Sequence, residues 1–271
     1  MTKEERAANL VDKFLDKEIL RNQALFANAI EKLGQQIQSL VNRLEVAADG
    51  TVKGPTVTLA TAIKLHKQMA QLFLETYDKA IYQYLRRFKK IEALVIDTYN
   101  NLLGIESADF LEVSKDTLKV LAKQDFQLHK TLSKRTQAEI AKAVYATVLA
   151  LGDLEELKKQ IEGALTGHLD VRGRPLASYA DTYVQDQIMQ YHARANKELG
   201  KESGAKKWRY VGDSIKTSRP FCTDNIGVVK TTEEWEAIGT GTSWKGKSCS
   251  DIFSCRGGYN CRHHFQAVFS E

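Results

Sequence analysis

The sequence predicts an α+β protein: an N-terminal bundle of long antiparallel helices over residues 1–152, followed by a small, loop-rich α+β domain over 153–271. Three observations carry that expectation. Apolar residues recur at three- and four-residue steps through most of the first 150 positions, the period of an amphipathic helix. Eleven of the 17 glycines lie from Gly167 onward, where strong helical periodicity survives only over about 178–199. All four cysteines (Cys222, Cys249, Cys255, Cys261) and all three tryptophans lie beyond Lys207.

In the first helix Thr2 and Glu5 have the spacing of a capping box. Leu10, Phe14, Leu25, Phe26 and Ile30 follow at helical steps, and Leu33, Ile37, Leu40 and Leu44 alternate steps of four and three, as in a coiled-coil seam. Asp49-Gly50 and Gly54-Pro55 mark a turn. A second helix is expected from Val57 to Leu103, with Leu59, Ile63, Met69, Phe73, Tyr77, Ile81, Leu85, Phe88, Val95, Tyr99 and Leu102 on its apolar face. Near its middle stands Arg86-Arg87-Phe88-Lys89-Lys90. This run reads either as the outer face of an amphipathic helix or as a DNA contact.

Gly104-Ile105-Glu106-Ser107 interrupts the pattern. A third long helix is expected over 116–151, ending at Gly152 in the left-handed position past a helix end. His66 and His129 fall on these helices without partners at ligand spacing and read as surface or boundary residues. Asp153 with Glu156 opens another helix, running to Leu165. Short connections make such segments antiparallel neighbours. The second domain begins with lead-in helices over 153–200, broken by the loop Val171-Arg172-Gly173-Arg174-Pro175. Its Cys/His module, 206–271, contains short strands at Trp208–Val211 and Phe265–Phe269 and a capped helix starting Thr231-Thr232-Glu233-Glu234-Trp235.

Composition narrows the function classes. The net charge is +5, with 39 basic and 34 acidic residues well mixed, which permits contact with nucleic acid without demanding it. No apolar run reaches the roughly 18–20 residues of a membrane span, so no membrane anchor is expected. The charged start leads into an amphipathic pattern rather than a signal peptide, and a cytoplasm is the expected compartment.

In a cytoplasmic chain, clustered cysteines point to metal before disulfides. Zinc takes about four nitrogen or sulfur donors in a tetrahedron. Cys261-Arg262-His263 offers two donors close together, Cys222 a distant third, and Cys255 a fourth, with His264 and Cys249 as alternatives. Gly257 and Gly258 would let the backbone turn tightly enough to aim the pair. No C-x-x-C pair is present, so the spacing matches no common zinc finger. Buried free thiols, or a Cys249–Cys255 disulfide, are the competing readings.

Enzyme chemistry finds less support. The zinc-deaminase pattern of H-x-E followed by C-x-x-C is absent, as are H-E-x-x-H, G-x-S-x-G and the P-loop. A Cys261 nucleophile with a histidine base is conceivable. Adjacent strand residues face opposite ways, however, so at most one of His263 and His264 shares a face with Cys261. A non-enzymatic protein is expected.

An ordered set of blocks then carries a resemblance: Gly212-Asp213; Thr217-Ser218-Arg219-Pro220-Phe221-Cys222; Gly227; Thr231-Thr232-Glu233-Glu234-Trp235; Trp244-Lys245-Gly246; and Arg256-Gly257-Gly258-Tyr259-Asn260-Cys261-Arg262-His263-His264-Phe265, closing on Val268. Together with Gly173–Thr182 upstream, residues 153–271 resemble the C-terminal domain of tailed-bacteriophage minor head proteins, the Mu F-like head morphogenesis family. The first 150 residues match only in being helical.

The resemblance implies a virion structural protein, in the head or head–tail region, assembled in the host cytoplasm and present in several copies. Its implied partners are portal, capsid or neck subunits, with a role in head assembly and, for some members, in DNA packaging or ejection. The family's Cys and Cys-x-His pattern falls on Cys222, Cys261 and His263, which supports a structural zinc. Asp213, Arg219 and Asn260 read as residues that tie the glycine-rich loops together. A DNA-binding or ejection protein contacting the genome through Arg86, Arg87, Lys89 and Lys90 is the alternative, and a thiol or metal enzyme a further one.

Overall fold

A computed structural model describes residues 3–53, 55–105, 112–167, 175–247 and 249–269. Thr2, Gly54, Glu106, Ser107 and the 171–174 loop, named above, lie outside the described residues. The chain is α+β: a long helical N-terminal region precedes a small three-stranded antiparallel sheet. No helix among the described residues is long and apolar enough to cross a membrane.

The long helices are α1 (Lys3–Val41), α2 (Pro55–Phe73), α4 (Phe88–Leu103), α5 (Glu112–Ala150) and α7 (Leu176–Glu202). Shorter ones are α3 (Lys79–Leu85), α6 (Leu154–Leu165), α8 (Pro220–Asn225), α9 (Thr232–Gly241) and the single turn α10 (Ile252–Cys255). The strands are β1 (Lys207–Val211), β2 (Val229–Thr231) and β3 (His264–Val268).

Two compact units emerge, each built from separated stretches. One comprises Met1–Arg21, Arg86–Gln124 and Val184–Glu271; the other comprises Asn22–Leu85 and Asp125–Tyr183. These units interleave along the chain, and the division expected between residues 152 and 153 falls inside the stretch Asp125–Tyr183 of one of them.

In the second of these units the seam Leu33, Ile37, Leu40 and Leu44 is buried. The helix expected over 57–103 is interrupted. A π-helical turn, Leu74–Asp78, separates α2 from α3, and a turn at Arg86-Arg87 separates α3 from α4. At the first interruption the Thr76 hydroxyl bonds back to the Leu72 carbonyl, a contact that bends helices. Buried Asp78 is paired there with Lys130. Ile63, placed on the apolar face by spacing, is exposed, and Ala62 and Leu65 are buried instead; Met69 is buried as expected.

His129 corrects its expectation more sharply. It is fully buried, stacked on Phe26 with ring centroids 4.7 Å apart, and its Nδ1 lies 3.3 Å from the Tyr77 hydroxyl. His66 is exposed. The end of α5 also differs: Leu151, not Gly152, takes the left-handed backbone (φ 52°). The Gly152 amide then reaches back to the Thr147 carbonyl at 2.8 Å, closing a Schellman-type end. Asp153 caps α6 through the Glu156 amide at 2.8 Å, as its spacing predicts.

The other unit contains the sheet, ordered β2-β1-β3, with Trp208 opposite Ala267 and Tyr210 opposite Phe265. Period-two alternation buries Trp208 and Tyr210 on one face of β1. Two indole donors are satisfied here: Trp208 Nε1 donates to Thr232 Oγ1 at 2.9 Å and Trp235 Nε1 to the Trp208 carbonyl at 2.9 Å. Thr231 and Glu234 form a reciprocal capping box on α9, as expected. Asn196 on α7 joins helix to sheet, donating to the Phe265 carbonyl at 2.6 Å while its own carbonyl accepts from the Tyr99 hydroxyl at 3.0 Å.

Gly200 lies under the Trp208 ring and the Tyr99 hydroxyl, and a Cβ there would run into both. Gly200→Ala should therefore destabilise the protein by about 1–3 kcal/mol through overpacking, read as a lower urea midpoint with an unchanged denaturant slope.

Candidate metal centre

Three donors from two distant stretches meet beside β1. Cys222 lies within α8, which starts at Pro220; Cys261 and His263 lie in the segment leading into β3. Cys222 Sγ and Cys261 Sγ are 3.8 Å apart, and Cys261 Sγ is 3.5 Å from His263 Nδ1. One donor atom from each residue lies within 4.8 Å of the others, and all three residues are buried.

The residues around the donors explain the convergence. Arg219 donates to the Tyr259 carbonyl at 2.7 Å, and the Tyr259 amide donates to the Gly246 carbonyl at 3.0 Å, tying three of the motif blocks together. Phe221 stacks on Trp244 with centroids 4.2 Å apart, holding α8 in place. Gly257 sits against the sulfurs: a Cβ there would run into Cys222 Sγ, and its amide donates to Cys261 Sγ at 3.3 Å. Tyr210 stands in the same cradle, its hydroxyl 3.5 Å from Cys222 Sγ and 3.4 Å from Cys261 Sγ.

The fourth ligands proposed from sequence do not join. Cys255 is paired with Cys249 in a disulfide, Cα atoms 5.7 Å apart, which takes both thiols out of the donor set. His264 faces away from the sulfurs, its Nδ1 3.2 Å from an Asp12 carboxylate oxygen, as the alternation of neighbouring residues at a strand requires. Arg86, Lys89 and Lys90 are exposed and Arg87 partly so, around a buried Phe88 that stacks on Tyr191 at 4.1 Å. That arrangement is an amphipathic helix surface with its bases outward.

Charges are arranged unevenly around the thiols. The hydrogen bond from Cys222 pulls the Cys261 thiol down against the opposing effect of burial; His263 and the Arg256 guanidinium pull the same way. Cys222 is pushed up by its hydrogen bond to Cys261 and by burial. Burial, and then the neighbouring sulfurs, push the Tyr210 phenol up. Arg256 is fully buried at φ 52°, donating to the Ser254 carbonyl at 2.7 Å and standing 3.4 Å from Asp186. Asp186 also accepts from the Asn260 amide at 3.2 Å; burial raises its carboxyl above the usual range.

Three features fit a metal. Two thiols and an imidazole are the soft-to-borderline donors such ions prefer. His263 turns Nδ1 toward the sulfurs, 3.5 Å from Cys261 Sγ. Gly257 leaves space for sulfur that any side chain would fill. The three residues could thus hold a metal ion. Tyr210 and the Arg256–Asp186 pair were not singled out as parts of the centre from the sequence, whereas Gly257 was expected to let the backbone aim Cys261 and His263.

A cleft of about 500 Å³ opens on the centre, lined by Asp213, Thr217, Ser218, Arg219, Arg262 and the three donors among others. Asp12 and Asp16 of α1 line it too, and no local signal in the sequence joins them to residues about 250 positions away. Compared with protein-family models, curated proteins and solved structures, the chain matches none.

Asp251 supports this module from α10. It caps the turn through the Phe253 amide and accepts from Ser254 at 2.7 Å, Lys197 at 3.1 Å and Arg194 at 3.2 Å. Burial alone would raise its carboxyl, but the Ser254 hydrogen bond and the two cations outweigh it and hold the group below the usual carboxylate range. A depressed folded value contributes stability that is present above the unfolded value, about pH 4, and lost as pH falls through the folded one. Asp251→Asn keeps a capping acceptor, so it should cost about 1 kcal/mol at neutral pH. The gap from the parent should narrow as denaturation is repeated at successively lower pH below about 4.

Proposed function

We propose that the chain is a structural protein of a tailed-bacteriophage virion, a minor head protein whose small α+β module is tied by zinc. One observation carries the reading: sequence blocks spread from Gly212 to His263 converge on one buried centre. Gly212 packs against His263, Arg219 ties Tyr259, Gly246 accepts from Tyr259, and Gly257 cradles the sulfurs of Cys222 and Cys261. Four of the blocks on which the Mu F-like resemblance rests thus meet at one centre.

Zinc is favoured by distance and donor type. With Zn–S about 2.3 Å and Zn–N about 2.0 Å, a tetrahedral site sets sulfurs about 3.8 Å apart and sulfur from nitrogen about 3.5 Å. The two separations that involve Cys261, 3.8 Å and 3.5 Å, match these values, and the third lies within 4.8 Å. Bound there, the ion would hold α8 to the segment before β3, a structural rather than catalytic task. The partners on this reading are portal, capsid or neck subunits, with several copies per particle. The outward bases Arg86, Arg87, Lys89 and Lys90 make packaged DNA a further partner.

Elemental analysis of protein purified under reducing conditions should find about one zinc per chain. Cys222→Ser and Gly257→Ala should each lose most of it, and a chelator should lower the parent's thermal midpoint. Metal-free parent protein with an unchanged midpoint would remove zinc from the reading. The virion assignment is checked separately: quantitative mass spectrometry of purified particles should find a few copies per head, and antibody labelling should place them at the head or head–tail vertex. Particles lacking the chain would overturn it.

A further inference from the structure

We propose that the fourth coordination position of the Cys222–Cys261–His263 centre belongs to a donor from outside the chain, admitted through the cleft. In the isolated protein a water holds it, and a small anion displaces that water. The inference rests on the metal reading above and adds that the site is open.

The first support is the donor count. Among the described residues, only three Cys, His, Asp or Glu donors converge. Structural zinc sites are closed by four protein donors, whereas sites that exchange a ligand keep three and leave one position free. Cys255 is committed to Cys249, and His264 is turned toward Asp12, so neither closes the set.

The second support is access. Cys222, Cys261 and His263 are each buried, yet all three line the same cleft of about 500 Å³. Protein encloses the donors on the side of Tyr210 and Gly257, and open volume faces them on the other. The cleft carries acidic Asp12, Asp16 and Asp213 and basic Arg219 and Arg262. Two thiolates and a neutral imidazole would leave a divalent ion formally neutral, so a singly charged anion meets no net repulsion at the position itself.

One group of this chain competes. The Tyr210 hydroxyl lies 3.4 and 3.5 Å from the two sulfurs. It is fully buried, so its O–H requires an acceptor. The sulfurs supply one, and the Gly257 amide bonds Cys261 in the same manner. Tyr210 is thereby a hydrogen-bond donor to the ligands, orienting them, and not itself a ligand.

Cobalt(II) replacing zinc provides the test, because its visible bands report the donor set. The cobalt-loaded parent should show thiolate-to-metal charge transfer, and azide should shift its d–d bands saturably. Tyr210→Phe, checked for folding by circular dichroism, should keep the azide shift with metal affinity lower by about ten-fold. Charge transfer without any azide response in the parent overturns the open position. If in that case Tyr210→Phe gains the response or loses the metal, the phenol oxygen is the fourth donor. Absence of charge transfer in the parent instead removes the metal reading itself, so the two failures are distinguishable.

Discussion

Two sulfur atoms held 3.8 Å apart in a buried site cannot both carry charge without a cation beside them. That constraint orders everything near the end of the chain. Without a metal the pair divides the burden: Cys261 moves toward thiolate, helped by Cys222, His263 and Arg256, and Cys222 is held as the thiol. Arg256 is a fully buried cation that acts on this pair, and it is already paired with Asp186. A divalent ion between the sulfurs would let both ionise at once, which is why the donor set and the charge distribution argue in the same direction.

The cost of building such a place shows in the backbone. Arg256 takes a positive φ that suits glycine, Gly258 takes φ 104° with the Gly246 carbonyl where its Cβ would be, and Asn260 takes φ 60°. Strain of this kind persists only where the surroundings over-determine it. Here they do so through Arg256 to Ser254 and Asp186, the Asn260 amide to Asp186, and Tyr259 between Arg219 and Gly246. Each of these contacts joins residues that are locally awkward to a helix or loop that is not. The centre's geometry is thus held by α7 and the sheet as much as by its own loop.

Helices with one apolar stripe were legible because their period is written in the residues: the Leu33–Leu44 seam and the α9 capping box needed no tertiary knowledge. The breaks were not. A π-helical turn at Leu74–Asp78 depends on a threonine bonding its own helix and on Asp78 finding Lys130, both outcomes of packing. β2 is three residues long and exists because β1 offers it an edge, so no alternation announces it. His129 has the same character: nothing in the sequence brings Phe26 and Tyr77 to it. At the candidate centre, Cys222, Cys261 and His263 stood out by type and order. The choice of Cys255 failed because residues at 249 and 255 are near enough to bond each other first.

That failure changes what the centre is able to be. A fourth cysteine would have made a sealed knot, with the ion serving only to close a loop. Three donors from α8 and the β3 approach, roofed by Tyr210 and Gly257 and open toward Asp213 and Arg262, would with an ion bound keep the cross-link and give it a face. The same two sulfurs that would fasten the segments would then determine how the remaining position behaves. Thiolate donation would lower the ion's pull on any further ligand, and Tyr210 and Gly257, by bonding the sulfurs, would temper that donation. On the metal reading, stability and exchange at this site are therefore set by one small group of hydrogen bonds to sulfur.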